Sequence, residues 1–140
     1  MIRDTVGGRM RPPVMTRSVI LSAAAPQPVS AYSQAIQSGS LLFLAGQIPL
    51  DPATGKVVSG TLAEETDRVI DNMRAVLSAA GATLANVVKT TVYLTNMADF
   101  AAFNAAYARH FSNDPPARTT VAVAALPLGV RVEVEAIAAL

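Results

Sequence analysis

The chain has 140 residues, the usual length of a single domain, and is 51% hydrophobic but only 15% charged. It contains no cysteine, which excludes disulfides and thiolate chemistry, and its one histidine, His110, excludes a metal site built from several histidines of one chain. After residue 17 there are seven basic and nine acidic residues, so this part lacks the excess of positive charge that nucleic-acid binding requires. No apolar run is long enough to cross a membrane, and we expect a cytoplasmic protein with neither a membrane nor a nucleic-acid partner.

Residues 1–17 mix glycine, proline and arginine without apolar periodicity, which predicts a disordered N-terminal tail. An organelle transit peptide is an alternative, although Asp4 and the Pro12-Pro13 pair are atypical of one. An upstream start, with Met15 beginning the domain, is another. We therefore expect the folded domain to cover residues 18–140.

Runs of apolar and β-branched residues predict about six strands. In chain order these are Val19–Leu21, Tyr32–Gln37, Leu41–Ile48, Val87–Leu94, Arg118–Leu126 and Val130–Ala138. The strand at 41–48 is apolar on both alternating faces, which is typical of a strand that is covered on both sides.

Two amphipathic helices are predicted between these strands. The first, over residues 61–80, begins with a capping box formed by Thr61 and Glu64 and ends at Gly81. The second runs from Asn96 to about Phe111, and its apolar stripe consists of Phe100, Phe103, Tyr107 and Phe111.

The predicted order β-β-β-α-β-α-β-β indicates an α+β fold, with a mixed sheet of about six strands and both helices on one face. The opposite face is then left without a cover, yet the strands at 41–48 and 118–126 carry apolar or small residues on both faces. Another copy of the chain is the simplest cover for such a face, so we expect a symmetric oligomer.

Arg118 is the first candidate for binding a ligand. It opens a strand of small residues, directly after Asp114-Pro115-Pro116-Ala117. A guanidinium is a planar, permanently charged fork that grips a carboxylate through two parallel hydrogen bonds. The alternative is a solvated arginine at the end of a strand.

Two glutamates form a second candidate feature. Glu133 and Glu135 alternate with valines, so both point to one side of their strand together with Arg131. This side is either a solvated polar face or a cleft in which one glutamate orients and deprotonates a water molecule.

Three other polar side chains interrupt the apolar pattern. Asn104 lies on the apolar stripe of the second helix, where its amide either ties two elements together or faces a pocket. Tyr32, in the segment S-A-Y-S-Q, is consistent with ordinary packing. His110 lies near the carbonyl end of the second helix, which favours a cation.

These residues lie in segments that resemble the reactive intermediate deaminase A (RidA) family, also called YjgF. The likeness covers residues 18–140, essentially all of the expected folded part. Its most specific segments are G-Q-I-P-x-x-P-x-T-G (46–55), D-F-x-x-F-N-x-x-Y (99–107), P-A-R (116–118) and V-E-V-E-A-I-A (132–138). The resemblance implies chorismate-mutase-like α+β subunits that form a homotrimer with three clefts between subunits.

The resemblance also implies a reaction and a site. Family members hydrolyse 2-imino acids, the tautomers of enamines released by pyridoxal-phosphate-dependent dehydratases, to 2-keto acids and ammonia without a cofactor. Arg118 matches the arginine that binds the substrate carboxylate, and Glu133 matches the glutamate associated with the hydrolytic water. Further positions that match the substrate pocket are Tyr32, Ala45, Gly46, Asn104 and Thr120, and no metal ligand is implied.

Three positions depart from the family pattern. Ala45 stands where deaminase-active members commonly have serine, Thr120 where many have cysteine, and Ala31 where a proline usually precedes the tyrosine. The departures bear on rate and substrate choice, whereas Arg118 and Glu133 preserve the expected type of reaction.

An imine deaminase acting on a small 2-imino acid is therefore the leading hypothesis. The main alternative is a non-catalytic trimer that binds or senses 2-keto acids; Arg118 would serve it equally well, but Glu133 would not. An endoribonuclease, an activity also attached to this family, is opposed by the acidic charge of the chain after residue 17 and by the single His110. Chorismate mutase rests on an analogy of fold alone.

Overall fold

The computed structural model describes residues 16–140, so all but the last two positions of the predicted tail lie outside the described residues. Its strands are β1 (Arg17–Ile20), β2 (Ala35–Ser38), β3 (Leu41–Gln47), β4 (Val87–Leu94), β5 (Ala117–Ala122) and β6 (Val132–Ala139). Helix α1 (Leu62–Ala79) lies between β3 and β4, and helix α2 (Phe100–His110) lies between β4 and β5. The predicted order of strands and helices is confirmed, and β1 begins one position inside the segment assigned to the tail.

The six strands form one mixed sheet in the order β1-β2-β3-β6-β4-β5. β4 and β5 are parallel and are joined through α2, whereas the other neighbouring pairs are antiparallel. The last strand of the chain, β6, therefore lies inside the sheet between β3 and β4. This position brings the V-E-V-E segment to the middle of the sheet.

Both helices pack against one face of the sheet. Helix α1 begins where the sequence predicts, because the Thr61 hydroxyl accepts a hydrogen bond from the Glu64 N–H at 3.2 Å. Its apolar stripe joins the inward side chains of the central strands in one core, which includes Leu42, Leu44, Val69, Ile70, Met73, Val76, Leu77, Val92, Val132 and Val134. Neither helix has the length and hydropathy of a membrane span.

Polar contacts join the two helices on the outer side of this core. Asp67 of α1 accepts hydrogen bonds from His110 Nε2 at 2.7 Å and from Arg109 Nη2 at 3.1 Å, both on α2. Arg74 of α1 donates to His110 Nδ1 at 3.1 Å. Both nitrogens of His110 are therefore engaged, and the residue has a structural role.

Two predicted strands are longer than the observed ones by two or more residues. The prediction that a strand begins at Tyr32 is wrong, because the buried Gln34 side chain holds the preceding segment in a loop. Gln34 accepts a hydrogen bond from the Ser22 N–H at 2.6 Å and donates to the Ser22 and Pro26 carbonyls at 3.1 and 2.8 Å. Strand β5 stops at Ala122, short of the predicted end, because its partner β4 ends at the paired residue Leu94.

The second helix also starts later than predicted. Residues 97–99 form a single 3₁₀ turn, capped by the Asn96 side chain, which accepts a hydrogen bond from the Ala98 N–H at 2.9 Å. The α-helical hydrogen bonds begin only at Phe100.

The face of the sheet opposite the helices is open in a single described chain. Strand alternation directs Leu41 and Phe43 of β3 to this face, since Leu42 and Leu44 point into the core. Val19 of β1 and Val121 of β5 are also exposed, so apolar side chains extend to both edges of the sheet. The expectation of an uncovered apolar face thus agrees with the described part of the chain.

Asn72 fixes the segment that follows β3 to helix α1. The side chain is fully buried, and its amide donates to the carbonyls of Ile48 and Leu50 at 3.1 and 2.9 Å. Its oxygen accepts a hydrogen bond from Arg68 Nε at 3.2 Å. The sequence pattern gives no sign of this contact, which determines the path of the backbone next to the cleft described below.

We expect Asn72→Ala to lower the free energy of unfolding by about 1–3 kcal/mol, because the two hydrogen bonds from a fully buried amide to the Ile48 and Leu50 carbonyls are lost. The matched control is Asn113→Ala at an exposed position, which should change it by less than about 0.5 kcal/mol. Urea denaturation followed by circular dichroism measures both values at equal protein concentration. Equal losses for the two variants would contradict the role assigned to Asn72.

Candidate functional site

A cleft of about 410 Å³ lies where β3 ends, beside the turn at 127–129 and the loop at 26–32. Four of the residues singled out in the sequence line it: Tyr32, Ala45, Gly46 and Glu133. A bulge between Leu44 and Gln47 shifts the register between β3 and β6, which is a common device for redirecting residues beside a site. The cleft therefore lies at an irregular point of an otherwise regular sheet.

Gly46 leaves the space that the Glu133 side chain occupies. A methyl group at position 46 would come within 2.9 Å of the Glu133 carboxyl carbon, closer than a carbon atom tolerates without movement. The backbone conformation of Gly46 is not one that only glycine adopts, so the reason for glycine here is this close approach. The pair Gly46 and Glu133 forms the wall of the cleft on the side of the sheet.

The Glu133 carboxyl has the surroundings of a proton acceptor. Burial raises the pKa of Glu133 above its ordinary value, and the neighbouring charge of Glu135 raises it further. Glu135 itself is engaged, since the Tyr93 hydroxyl donates to its Oε1 at 2.7 Å. This hydrogen bond also raises the pKa of Tyr93, so that hydroxyl stays protonated at neutral pH. Of the two glutamates, Glu133 is the one that lines the cleft.

Arg118 lies on β5, and its guanidinium is held by three aromatic rings of α2. The guanidinium carbon is 4.8 Å from the ring centre of Tyr107, 5.5 Å from that of Phe100 and 5.9 Å from that of Phe103. The Tyr107 hydroxyl is in turn hydrogen-bonded to the Thr90 hydroxyl at 2.7 Å. Within residues 16–140, Arg118 is half-buried and forms no ion pair. A fork of N–H donors is thus held in place without an anionic partner.

Two more predicted residues lie on the same side of the sheet as Arg118. Thr120 is two residues along β5, and its buried hydroxyl oxygen has no hydrogen-bond partner in the described part of the chain. Asn104 is half-buried on α2, between Phe103 and Tyr107. Two roles were left open for Asn104, a link between two elements or a place in a pocket. Its side chain forms no hydrogen bond to another described residue, so no such link is seen.

The register of the sheet separates Arg118 from Glu133. Arg118 pairs with Thr90, which pairs with Ala136, and both neighbours are buried on the helix side. Glu133 pairs with Tyr93 on the opposite, open side. Because cross-strand partners point to the same face, the guanidinium and the carboxylate lie on opposite faces of one sheet.

A single chain therefore carries two groups of candidate residues rather than one. The first group, on the cleft, consists of Tyr32, Ala45, Gly46 and Glu133. The second group, beside α2, consists of Asn104, Arg118 and Thr120. Arg131, expected on the same side as the glutamates, instead binds Glu65 at 3.0 Å and the Gly60 carbonyl at 2.9 Å with its guanidinium.

Neither group has the composition of a metal site. In the part of the chain that the structure describes, no three histidine, aspartate or glutamate side chains come close enough together to share an ion. The chemistry available in the described region is that of a carboxylate, a guanidinium, hydroxyls and amides.

The fold and these residues define a small α+β domain with a carboxylate-lined cleft on its sheet. Residues 22–140 match the family described as Endoribonuclease L-PSP. The chain belongs to this family, which is the RidA/YjgF family that the sequence resembles.

Individual relatives are similar over nearly their entire length. A RutC family protein of Pyrococcus abyssi is 50% identical over 89% of this chain and 98% of its own. The human protein named 2-iminobutanoate/2-iminopropanoate deaminase is 44% identical over 89% of this chain and 90% of its own. The crystal structure of E. coli TdcF with bound serine is 34% identical in sequence and has a TM-score of 0.84. The match covers 88% of this chain and 98% of that one.

We expect Glu135→Gln to lower the pKa of Glu133, because a like charge next to it is removed. The pKa should stay above the ordinary glutamate value, since burial, the larger cause of the shift, is unchanged. Carbon-13 NMR of the side-chain carboxyl over a pH titration measures both values. Glu64→Gln, at an exposed position on α1, is the matched control and should leave the Glu133 titration unchanged. A rise in the Glu133 pKa in Glu135→Gln would contradict this description of the pair.

Proposed function

We propose that this chain hydrolyses reactive 2-imino acids to 2-keto acids and ammonia, in clefts formed between the subunits of a homotrimer. The observation that carries the proposal is the half-buried Arg118 guanidinium, which three aromatic rings hold without an anionic partner among the described residues. A buried cation of this kind is stabilised when an anion binds, and a carboxylate matches its fork of donors. Family membership adds to this, since the human and the Arabidopsis relative are named as deaminases of imines and of reactive intermediates.

The aromatic rings around Arg118 give the binding group a fixed direction. A guanidinium that lies against ring faces keeps its edges, where the N–H groups point, free for a ligand. An arginine held in this way loses less side-chain entropy on binding than a solvated one. The proposed role of Arg118 is therefore to bind the substrate carboxylate and to fix the position of the carbon next to it.

Glu133 is the proposed acceptor for the proton of the attacking water. Its half-buried carboxyl lines the cleft, and its raised pKa makes it a better base than a solvated glutamate. A protein that only binds 2-keto acids would gain nothing from a carboxylate beside an anionic ligand. The placement of Glu133 thus favours a hydrolase over a sensor.

The two roles require residues from different subunits. Arg118 and Glu133 of one chain lie on opposite faces of its sheet, so they cannot contact the same small molecule. We infer that the open apolar face of one subunit packs against a second copy, and that the partner subunit's Arg118 reaches the cleft of Glu133. This arrangement uses the uncovered face and follows the homotrimer that the family resemblance implies.

The reaction that these groups support is a simple hydrolysis. In a protonated 2-imino acid the carbon of the C=N bond is electrophilic, so a water molecule adds to it while Glu133 accepts a proton from the water. The π electrons of the C=N bond move to nitrogen and leave an amino alcohol. Glu133 returns the proton to nitrogen and then accepts the hydroxyl proton as the C–N bond breaks, which forms the carbonyl of the 2-keto acid. That proton passes to the departing ammonia, which leaves as ammonium. The steps balance without a cofactor or a metal ion.

The remaining candidate residues are proposed to contact the substrate. Gly46 makes room for the Glu133 carboxyl in the wall that the substrate would contact, and Tyr32 borders the same cleft. Thr120 and Asn104 accompany Arg118, and the unpartnered Thr120 hydroxyl is available to a ligand atom. E. coli TdcF, whose structure holds bound serine, shows that a small carboxylate is a ligand of that relative.

Ribonuclease activity, which the family description names, finds less support in this chain. Cleavage of RNA by acid–base catalysis commonly uses histidine, and both nitrogens of His110 are engaged with Asp67 and Arg74. The part of the chain after residue 17 is also acidic overall, which opposes binding of a polyanion.

Substitutions distinguish the proposed binding role of Arg118 from the proposed catalytic role of Glu133. Arg118→Ala should abolish both binding of 2-keto acids and imine hydrolysis, and Arg118→Lys should restore little, because a point charge does not reproduce the fork. Glu133→Gln should still bind 2-keto acids but lose about 100-fold or more in kcat. Imines are generated in situ by an amino-acid oxidase, and keto-acid and ammonia formation is followed.

Matched controls for these two positions lie on exposed parts of the helices. Arg109→Ala and Glu64→Gln should leave both activities close to those of the parent. A parent protein that binds 2-keto acids but does not accelerate imine hydrolysis would establish the sensor alternative. Clear hydrolysis that is unaffected by Glu133→Gln would assign the water to another group, and Glu135→Gln would be tested next.

Mixing the two inactive variants tests whether the site is shared between subunits. Arg118→Ala and Glu133→Gln chains are co-expressed with different affinity tags and purified through both tags, which selects mixed trimers. In every such trimer one interface combines an intact Glu133 with an intact Arg118, so about one third of the parent activity should return. Light scattering confirms the trimer, and a mixture of Arg118→Ala with the double variant is the control that stays inactive. Absence of restored activity in mixed trimers would rule out a shared site.

A further inference from the structure

The mouth of the Glu133 cleft carries two large apolar side chains that are almost fully exposed. Val29 is 93% exposed and Leu128 is 71% exposed, and both line the cleft. Single exposed apolar residues are ordinary on a protein surface, but two that face one concave site mark a place where an apolar ligand group binds. These two residues give part of the cleft lining an apolar character.

The cleft also contains one carboxyl group, that of Glu133, and its lining includes Ile48 and Leu50. At position 45 the lining carries only the methyl group of an alanine. A molecule that reacts near Glu133 would therefore extend any side chain along an aliphatic wall.

Leu128 adopts a backbone conformation that is unfavourable for a leucine. Its φ angle is +56°, in the left-handed region, and it is followed by Gly129 at +69°. Glycine, asparagine and aspartate adopt this region readily, whereas leucine does so at a cost. Such strained residues are concentrated at ligand sites, where the side chain is used in a direction that relaxed backbone would not give.

We propose that this cleft selects 2-imino acids with an aliphatic side chain of several carbons, and that Leu128 and Val29 contact that side chain. The inference rests on the proposed function, since it assumes that Glu133 marks the position of the reacting carbon. The lining of the cleft includes the aliphatic side chains of Ile48 and Leu50 besides the two exposed residues. An aliphatic substrate side chain would cover these groups. The substrate class is thus that derived from leucine-like amino acids rather than from alanine.

The test compares two imines that differ only in the side chain. An amino-acid oxidase generates 2-iminopropanoate from alanine and 2-imino-4-methylpentanoate from leucine. The parent should show the higher kcat/KM for the branched substrate. Leu128→Asn keeps the size of the side chain and suits the left-handed backbone, and it should lower the ratio of the two kcat/KM values about tenfold. Its kcat/KM for 2-iminopropanoate should change less than about twofold.

Two further variants make the result specific. Val29→Thr, which keeps the shape but adds a hydroxyl, should lower the ratio in the same direction by a smaller factor. Leu140→Asn is the matched control, because Leu140 is exposed but lies at the far end of β6 from Glu133. An unchanged ratio in Leu128→Asn, an equal loss for both substrates, or a change of trimer mass in light scattering would overturn the inference. The last outcome would show that Leu128 contacts another copy of the chain.

Binding of the product keto acids separates this inference from the proposed reaction. Calorimetry with pyruvate and 4-methyl-2-oxopentanoate should show tighter binding of the branched acid, and Leu128→Asn should remove that difference. If the parent hydrolyses no imine but shows this preference in binding, the proposed reaction fails and the selectivity holds. If it hydrolyses both imines equally well and binds both keto acids equally, the reaction holds and the selectivity fails.

Discussion

Strand alternation keeps the guanidinium of Arg118 and the carboxylate of Glu133 on opposite faces of one sheet. The surroundings of both groups and the proposed assembly depend on this separation. On opposite faces the two groups do not neutralise each other, so each stays available to a ligand. Because they are apart, Arg118 rests on the rings of α2 while Glu133 keeps a raised pKa beside Glu135. The cost is that neither group alone makes a site. A second copy of the chain supplies the missing half in the proposed assembly, and the open apolar face offers it a surface.

The two halves of the site are supported in different ways. Arg118 depends on the core, because the rings that hold it belong to the buried stripe of α2, and Tyr107 is fixed by Thr90 on β4. Glu133 depends on backbone irregularity, because the bulge in β3 and the missing side chain of Gly46 make room for its carboxyl. One half therefore relies on packing and the other on a local departure from regular sheet geometry. Arg118, the proposed binding group, is held by packing, whereas Glu133, the proposed proton acceptor, borders the open volume of the cleft.

Much of the fold could be predicted from local patterns, and the parts that could not depend on distant contacts. The first helix was predicted closely, because its cap at Thr61 and its apolar period are properties of neighbouring residues. The start of β2 was not, because the loop before it is held by the Gln34 side chain, which bonds to residues 8 and 12 positions away. Arg118 and Glu133 could be selected by residue type and family likeness. Their assignment to opposite faces required the register of β4 with β5 and β6, which no local pattern contains. The pairing of His110 with Asp67 was likewise hidden by a sequence separation of 43 positions.

Asn72 holds the wall of the cleft through hydrogen bonds to the backbone carbonyls of Ile48 and Leu50. The side chains of these two residues take no part in these bonds. The backbone path is therefore independent of which side chains stand at these two positions. Substitutions at these two positions can therefore occur without loss of the hydrogen bonds from Asn72. Under the proposed function, single substitutions there could change the substrate preference while the fold is kept. Asn72 itself has less freedom, because a residue without a side-chain donor would lose the hydrogen bonds to both carbonyls. Sequence variation should therefore be greater among the residues that line the cleft than at Asn72.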